Sequence, residues 1–254
     1  MSPRADEMAI WDAGIHIYRQ GWPLAPTALS KPDAASLEDY RRASEAVGTT
    51  HVVLSQPTAY GFDNTVLLDA LHTCGDRARG IVVVPPDTPP SSLLALHQQG
   101  VRGVRFMMFP GGVLSWHDVS SLAAKAADLN WVLKFQITAG QFVRHADLLA
   151  SLPARLVIDV YPATLDRSDE TAARLIAAMA AGRTWISLSA PADDQDPKFD
   201  EMARRLILAN AARCIWASNW PGSTGVQHGL AWLNKVAGPD IADRIVQNAS
   251  DLLG

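Results

Sequence analysis

The feature that most constrains this chain is a regular alternation along its whole length. Short β-rich runs recur at 9–16, 51–56, 80–84, 103–106, 131–137, 156–160, 185–189 and 214–219. Several are apolar almost throughout, as strands buried on both faces are. Between them, 36–47, 64–74, 90–99, 117–128, 140–151, 168–181 and 198–210 each carry a broad apolar stripe broken by polar residues, the pattern of surface helices. Pro89, Pro90, Ser91 and Ser92 suit a first helical turn, and Gly75, Gly100 and Gly182 fall where a left-handed cap residue ends a helix. Strand and helix repeated in this way predict an α/β fold, a single (β/α)8 TIM-type barrel in one domain over residues 1–254. An open doubly wound sheet is the alternative, but no GxGxxG follows the first strand.

Composition narrows the functions such a barrel can carry. With 48% hydrophobic and 19% charged residues, the 254-residue chain has ample material for a large core. A net charge of −4 gives no basic footprint for nucleic acid, and no apolar run approaches the length needed to span a bilayer. Met1 to Glu7 are polar, so export is not expected and a cytoplasmic location is. Cys74 and Cys214 stand far apart in apolar surroundings with no CxxC or Cys/His cluster, which argues for free thiols rather than redox or structural-zinc chemistry.

In a parallel barrel the working residues sit at the C-terminal ends of the strands. Those ends offer Asp12, Gly14 and His16, then Ser55, Gln56 and Tyr60, then Arg105, Lys134 and Gln136. Asp159, Tyr161, Ser187, Ser189, Ser218 and Asn219 complete them. Alternation along a strand puts Asp12, Gly14 and His16 on one face, and turns Lys134 and Gln136 inward while Leu133, Phe135 and Ile137 meet the helices. A lysine there needs a partner or solvent. It is either a counter-ion, a low-pKa base or a Schiff-base amine, or else it is simply paired with Asp12 or Asp159. His51 begins a strand, at the stability end of a barrel, and His228 follows the last one. The segment 106–115, rich in Met, Phe and Gly, overhangs the mouth as an apolar wall or lid.

Several pieces in the same order resemble the amidohydrolase superfamily, in its amidohydrolase 2 branch, which includes the 2-pyrone-4,6-dicarboxylate lactonases. They are Trp22-Pro23-Leu24-Ala25-Pro26, Gln56 with Asp63-Asn64, Ala78-Arg79-Gly80-Ile81 and Gly100-Val101-Arg102-Gly103-Val104-Arg105-Phe106. Leu156-Val157-Ile158-Asp159, Ile215-Trp216-Ala217-Ser218-Asn219-Trp220-Pro221 and Asn248 continue the series almost to the end of the chain. The resemblance implies a barrel with its site at the mouth and an arginine, here Arg105, that clamps a substrate carboxylate. Three positions depart from the family pattern. The first histidine of DxHxH is Gly14, the histidine after the strand-six motif is Val160, and the aspartate of the strand-eight SDWP signature is Asn219. In metal-using members these positions hold the cation or activate its water. In the pyrone lactonases the aspartate is the base, and a carboxamide cannot take a proton at neutral pH.

Function is therefore expected to be metal-independent, with no cofactor, on a small and anionic, carboxylated or oxygenated ring compound. Lactone or ester hydrolysis is the leading reading, with His16, Lys134 and Asn219 as catalytic candidates. Arg105, Tyr60, Gln136, Tyr161, Ser189 and Gln56 are the substrate-binding candidates. Loss of the carboxylate base leaves a non-hydrolytic isomerase, decarboxylase or cyclase as an alternative, and a ligand-binding pseudoenzyme as another.

Overall fold

The computed structural model describes residues 9–192, 196–222 and 225–254. Its centre is an eight-stranded, all-parallel sheet whose spatial order follows chain order. The strands are β1 (Trp11–Ile15), β2 (His51–Ser55), β3 (Ala78–Val82), β4 (Val101–Met107), β5 (Val132–Gln136), β6 (Arg155–Val160), β7 (Thr184–Leu188) and β8 (Cys214–Trp216). Helices α1 (Leu37–Ser44), α2 (Thr65–Cys74), α3 (Pro90–Gln98) and α4 (Val119–Asp128) form part of the outer layer. So do α5 (Ala139–Arg144), α6 (Ala146–Ser151), α7 (Asp169–Ala180) and α8 (Pro197–Asn210). The sheet closes where β8 meets β1, through the bridge Ile15–Trp220 and the bonds Asn219 N to Gly14 O (2.9 Å) and His16 N to Trp220 O (2.8 Å). The expected (β/α)8 barrel is the fold.

Two apolar shells hold it. Between strands and helices lies a large cluster in which Ile15, Leu54, Phe106, Phe135, Ile158, Leu188 and Trp216 meet the buried faces of the helices. Inside the barrel, toward the N-terminal ends of the strands, lies a smaller cluster of Trp11, Ala13, Val53, Ile81, Val132, Val157, Trp185 and Ile215. Away from the irregularity in β1, residues two apart on a strand fall in the same shell, the period-2 consequence of the pleat. Helix ends follow local chemistry: Gly75, Gly100 and Gly182 all have positive φ at or just beyond helix C-termini, as their sequence positions predict. Thr138 caps α5 in a reciprocal box with Gln141.

Three differences from the sequence reading have physical causes. The single helix expected over 140–151 is two, α5 and α6, because the backbone turns out of the helical range at His145, whose ring stacks on Trp116 at 3.7 Å. The segment after β8 folds into α9 (Val226–Ala237), α10 (Pro239–Ile245) and α11 (Asn248–Leu253). The last of these plugs the barrel floor with Ala249, Leu252 and Leu253. Finally, β1 carries a bulge between Asp12 and Ile15 that breaks the alternation. Asp12 consequently leaves the face it was expected to share with Gly14 and His16. Its carboxylate binds Ser218 and Tyr40 of α1 instead.

Candidate active site

Strand alternation decides which side chains reach the mouth. On β4 and β5, Arg105 and Lys134 pair in register and point inward, with Gln136 above them. On β6 the inward positions are Asp159 and, beyond the strand, Tyr161; Val160 faces the helices and is fully buried there. Val160, where the family pattern has a histidine, is packed in the apolar layer between strand and helices. Ser189 follows β7, and Ala217 and Asn219 follow β8. With Gly14, His16 and Ser55 these residues enclose a narrow inner pocket of about 20 Å³, room for one water. It adjoins a wider vestibule of about 230 Å³ that shares His16 and Arg105 and is otherwise walled by Tyr18, Leu29, Pro32, Pro57, Thr58, Met107 and Pro110.

Each polar group in this cavity is held from behind. His16 Nδ1–H donates to Ser55 O at 2.8 Å, which fixes Nε2 as the unprotonated nitrogen, since a carbonyl can only accept. Asn219 lines the same pocket beside the ring, and its side chain favours the charged form of the imidazole. Burial, followed by the nearby Arg105 guanidinium, lowers the imidazole from 6.5 to about 3, so it is neutral at physiological pH. Arg105 donates to Gln56 O (2.8 Å), Thr58 Oγ1 (3.1 Å) and Gln136 Oε1 (2.6 Å). Burial lowers its pKa, while the charge of Asp159 works in the opposite direction. Lys134 Nζ lies 3.2 Å from Asp159 Oδ1 and donates to Ala13 O at 3.2 Å. Two cations therefore face one carboxylate beside a neutral imidazole, leaving one net positive charge at the mouth.

Seven of the nine sequence-nominated residues meet here: His16, Arg105, Lys134, Gln136, Tyr161, Ser189 and Asn219. The other two do not. Gln56 Nε2 donates to Gly61 O (3.1 Å) and Asp63 O (2.7 Å), so the side chain braces the loop after β2 and only its backbone carbonyl serves Arg105. Tyr60 is buried under Tyr18 in an edge-to-face contact, and its hydroxyl accepts from Arg19 N. Tyr18 is the aromatic that reaches the vestibule, and the sequence reading passed over it because it lies in an irregular segment beyond β1. Ser55 and Ser187 were read only as strand ends; both hydroxyls are buried without a hydrogen-bond partner. His51 stacks on Trp11 at the barrel floor, and His228 bonds Pro191 O outside the cavity. Among the described residues, no group of three or more His, Cys, Asp or Glu side chains converges as metal ligands would.

An eight-stranded parallel barrel with charged and polar groups gathered at its C-terminal mouth is the architecture of an enzyme. Residues 9–254 match the amidohydrolase family, and the chain belongs to it. D-galactarolactone isomerase of Agrobacterium fabrum is 26% identical over 220 residues, covering 83% of this chain and 75% of its own length. The 2-pyrone-4,6-dicarboxylate hydrolase of Comamonas testosteroni is 26% identical over 231 residues, covering 83% and 76%. A crystal structure from Agrobacterium tumefaciens superposes with a TM-score of 0.84 at 20% identity, over 97% of this chain and 96% of that one. Among the described residues no helix is long and apolar enough to cross a membrane.

Proposed function

We propose that this protein opens a small lactone or cyclic ester that bears a carboxylate, by hydrolysis and without a metal ion. One observation carries the reading: Arg105 and Lys134 face a single carboxylate, Asp159, beside a neutral imidazole that shares the pocket with Asn219. Such a mouth attracts an anion. The relatives named for lactone and pyrone-carboxylate chemistry support the substrate class.

The substrate carboxylate pairs with Arg105 and Lys134. Burial is the main cause of the low His16 pKa, and the substrate charge offsets the further lowering by Arg105 and Lys134, so the base gains proton affinity when substrate binds. The lactone carbonyl takes a bond from the Asn219 amide, and Nε2, left open by the bond at Nδ1, faces a water in the inner pocket. Nε2 takes one proton from that water as its oxygen adds to the carbonyl carbon. Asn219 Nδ2 and Lys134 Nζ stabilise the oxyanion. The ring C–O bond then breaks, and the imidazolium returns the proton to the leaving oxygen. The vestibule wall of Tyr18, Leu29, Pro57 and Met107 packs the apolar faces of the ring.

A divalent cation does not suit this donor set. Zinc asks for three or more imidazole, thiolate or carboxylate donors. Here His16 is the only imidazole lining the pocket, Asp159 is paired with Lys134, and a Cβ at position 14 would crowd Ala217 Cβ and Lys134 Nζ. A second reading, isomerisation, is favoured by the inner pocket, which admits only one water, and by the relative named an isomerase. There a hydroxyl of the substrate attacks in place of water. Turnover of a panel of lactone and pyrone carboxylates in 18O-labelled water separates the two. Hydrolysis places one 18O in the product carboxylate, a product of unchanged mass without label denotes isomerisation, and no turnover of any member removes both.

A further inference from the structure

The carboxylate of Asp12 is fully buried, yet it lies outside the cavity and the reaction just described does not use it. Oδ1 accepts from Ser218 N at 2.9 Å and Gly14 N at 3.4 Å. Oδ2 accepts from Ser218 Oγ at 2.5 Å and Tyr40 OH at 3.1 Å. Among the described residues no cation pairs with it. Removing a carboxylate from water without a counter-charge is costly, so a group kept in this state has its compensation in those bonds.

What they hold is the place where the barrel closes. Each of the other strand junctions is a ladder, but β1 and β8 share one isolated bridge, Ile15–Trp220. At this seam Asn219 has φ +56°, a left-handed backbone uncommon outside glycine that asparagine tolerates better than most residues. Both its chain neighbours are tied to Asp12. Ser218 is bound through its backbone N–H and its hydroxyl, and Trp220 N donates to that same Ser218 Oγ at 3.1 Å. Trp220 O in turn receives His16 N at 2.8 Å. The bulge after Asp12 is what frees its side chain to reach behind the strand while Gly14 and His16 face the mouth.

We propose that Asp12 is a positioning residue: through Ser218 it clamps the β1–β8 seam and so sets Asn219, and the His16 ring that Asn219 contacts, in the geometry the chemistry requires. Tyr40 of α1 also donates to Oδ2, but its hydroxyl bonds none of the seam residues, so it anchors the carboxylate without belonging to the clamp.

The assignment rests on the reading of His16 and Asn219 as reacting groups, so the test includes a readout that needs no substrate. Asp12→Asn, Ser218→Ala, Ser218→Thr and Tyr40→Phe proteins are compared with wild type by 15N NMR of the histidine rings and by lactone turnover. In wild type the His16 ring shows one neutral tautomer with the proton on Nδ1. Asp12→Asn and Ser218→Ala are expected to shift the His16 Nε2 resonance and lower kcat at least tenfold with KM changed little. Ser218→Thr, which keeps the hydroxyl, restores both, and Tyr40→Phe lowers the melting temperature while leaving the resonance and kcat near wild type. An unshifted His16 signal in folded Asp12→Asn or Ser218→Ala overturns the proposal, as does a kcat loss that merely follows melting temperature across all four. Should Asp12→Asn fail to fold, the Ser218 pair decides on the same criteria. If wild type turns over no lactone, the functional reading fails and the ring signals alone decide the positioning role.

Discussion

At the scale of the residue, two substitutions discriminate most. Arg105 is held by Gln56 O, Thr58 and Gln136 with its charge facing both parts of the cavity. Arg105→Met removes a charge-assisted bond to the substrate carboxylate, so KM for an anionic lactone should rise roughly 10- to 100-fold. A neutral analogue should lose far less, and steady-state kinetics on the matched pair measure the difference. Gly14 is small for a reason of space. A Cβ there would meet Ala217 Cβ at 3.0 Å and Lys134 Nζ at 3.3 Å, so the ammonium occupies room that a side chain would need. Gly14→Ala should cost about 1–3 kcal/mol of stability by overpacking, read by urea unfolding, and should lower kcat by disturbing Lys134. A variant as stable and as active as wild type would show that this packing is slack.

At the scale of the element, α5 links the barrel to the wall of its mouth. Its capping box joins Thr138 and Gln141, and Gln141 Nε2 also donates to Met108 O at 2.9 Å, holding the segment after β4 against the helix. Thr138→Ala should cost about 1 kcal/mol by chemical denaturation. It should also loosen Gln141, so KM should rise; a stability loss with KM unmoved would separate the helix from the wall. Elements were legible in proportion to their periodicity. The eight strands and the helices from α1 to α8 announce themselves by apolar runs and stripes, although β8 is shorter than its run suggests and α5 and α6 divide one stripe. The turns of α9 to α11 were not legible, because Gly238 and Pro239 punctuate short pieces whose role, plugging the barrel floor, exists only in three dimensions. The site was legible where alternation holds, as at Arg105, Lys134 and Gln136. It failed where a bulge breaks alternation, as at Asp12, and where a loop side chain turns back into its own loop, as Gln56 does.

At the scale of the whole molecule, two buried groups give stability a pH dependence of opposite sign. His16 has a folded pKa of about 3 against 6.5, so between these values the unfolded chain binds the extra proton and acidification destabilises the fold. Asp12 is raised by burial from 3.8 to about 6, so between those values the folded chain binds the extra proton and acidification adds stability. The two offset one another between about pH 6 and 4. His16→Gln should therefore lose less melting temperature than wild type from pH 7 to pH 4, and Asp12→Asn should lose more, by calorimetry across that range. Identical profiles in all three proteins would mean that neither group ionises as its surroundings dictate. The barrel also unites the account's central proposal, that a mouth holding Arg105, Lys134 and His16 works without a metal ion. The most direct test is lactone turnover by protein whose metal content has been removed and counted. The account predicts an unchanged rate in the stripped protein and none gained on adding zinc or manganese; activity lost on stripping and restored in proportion to bound metal would contradict it.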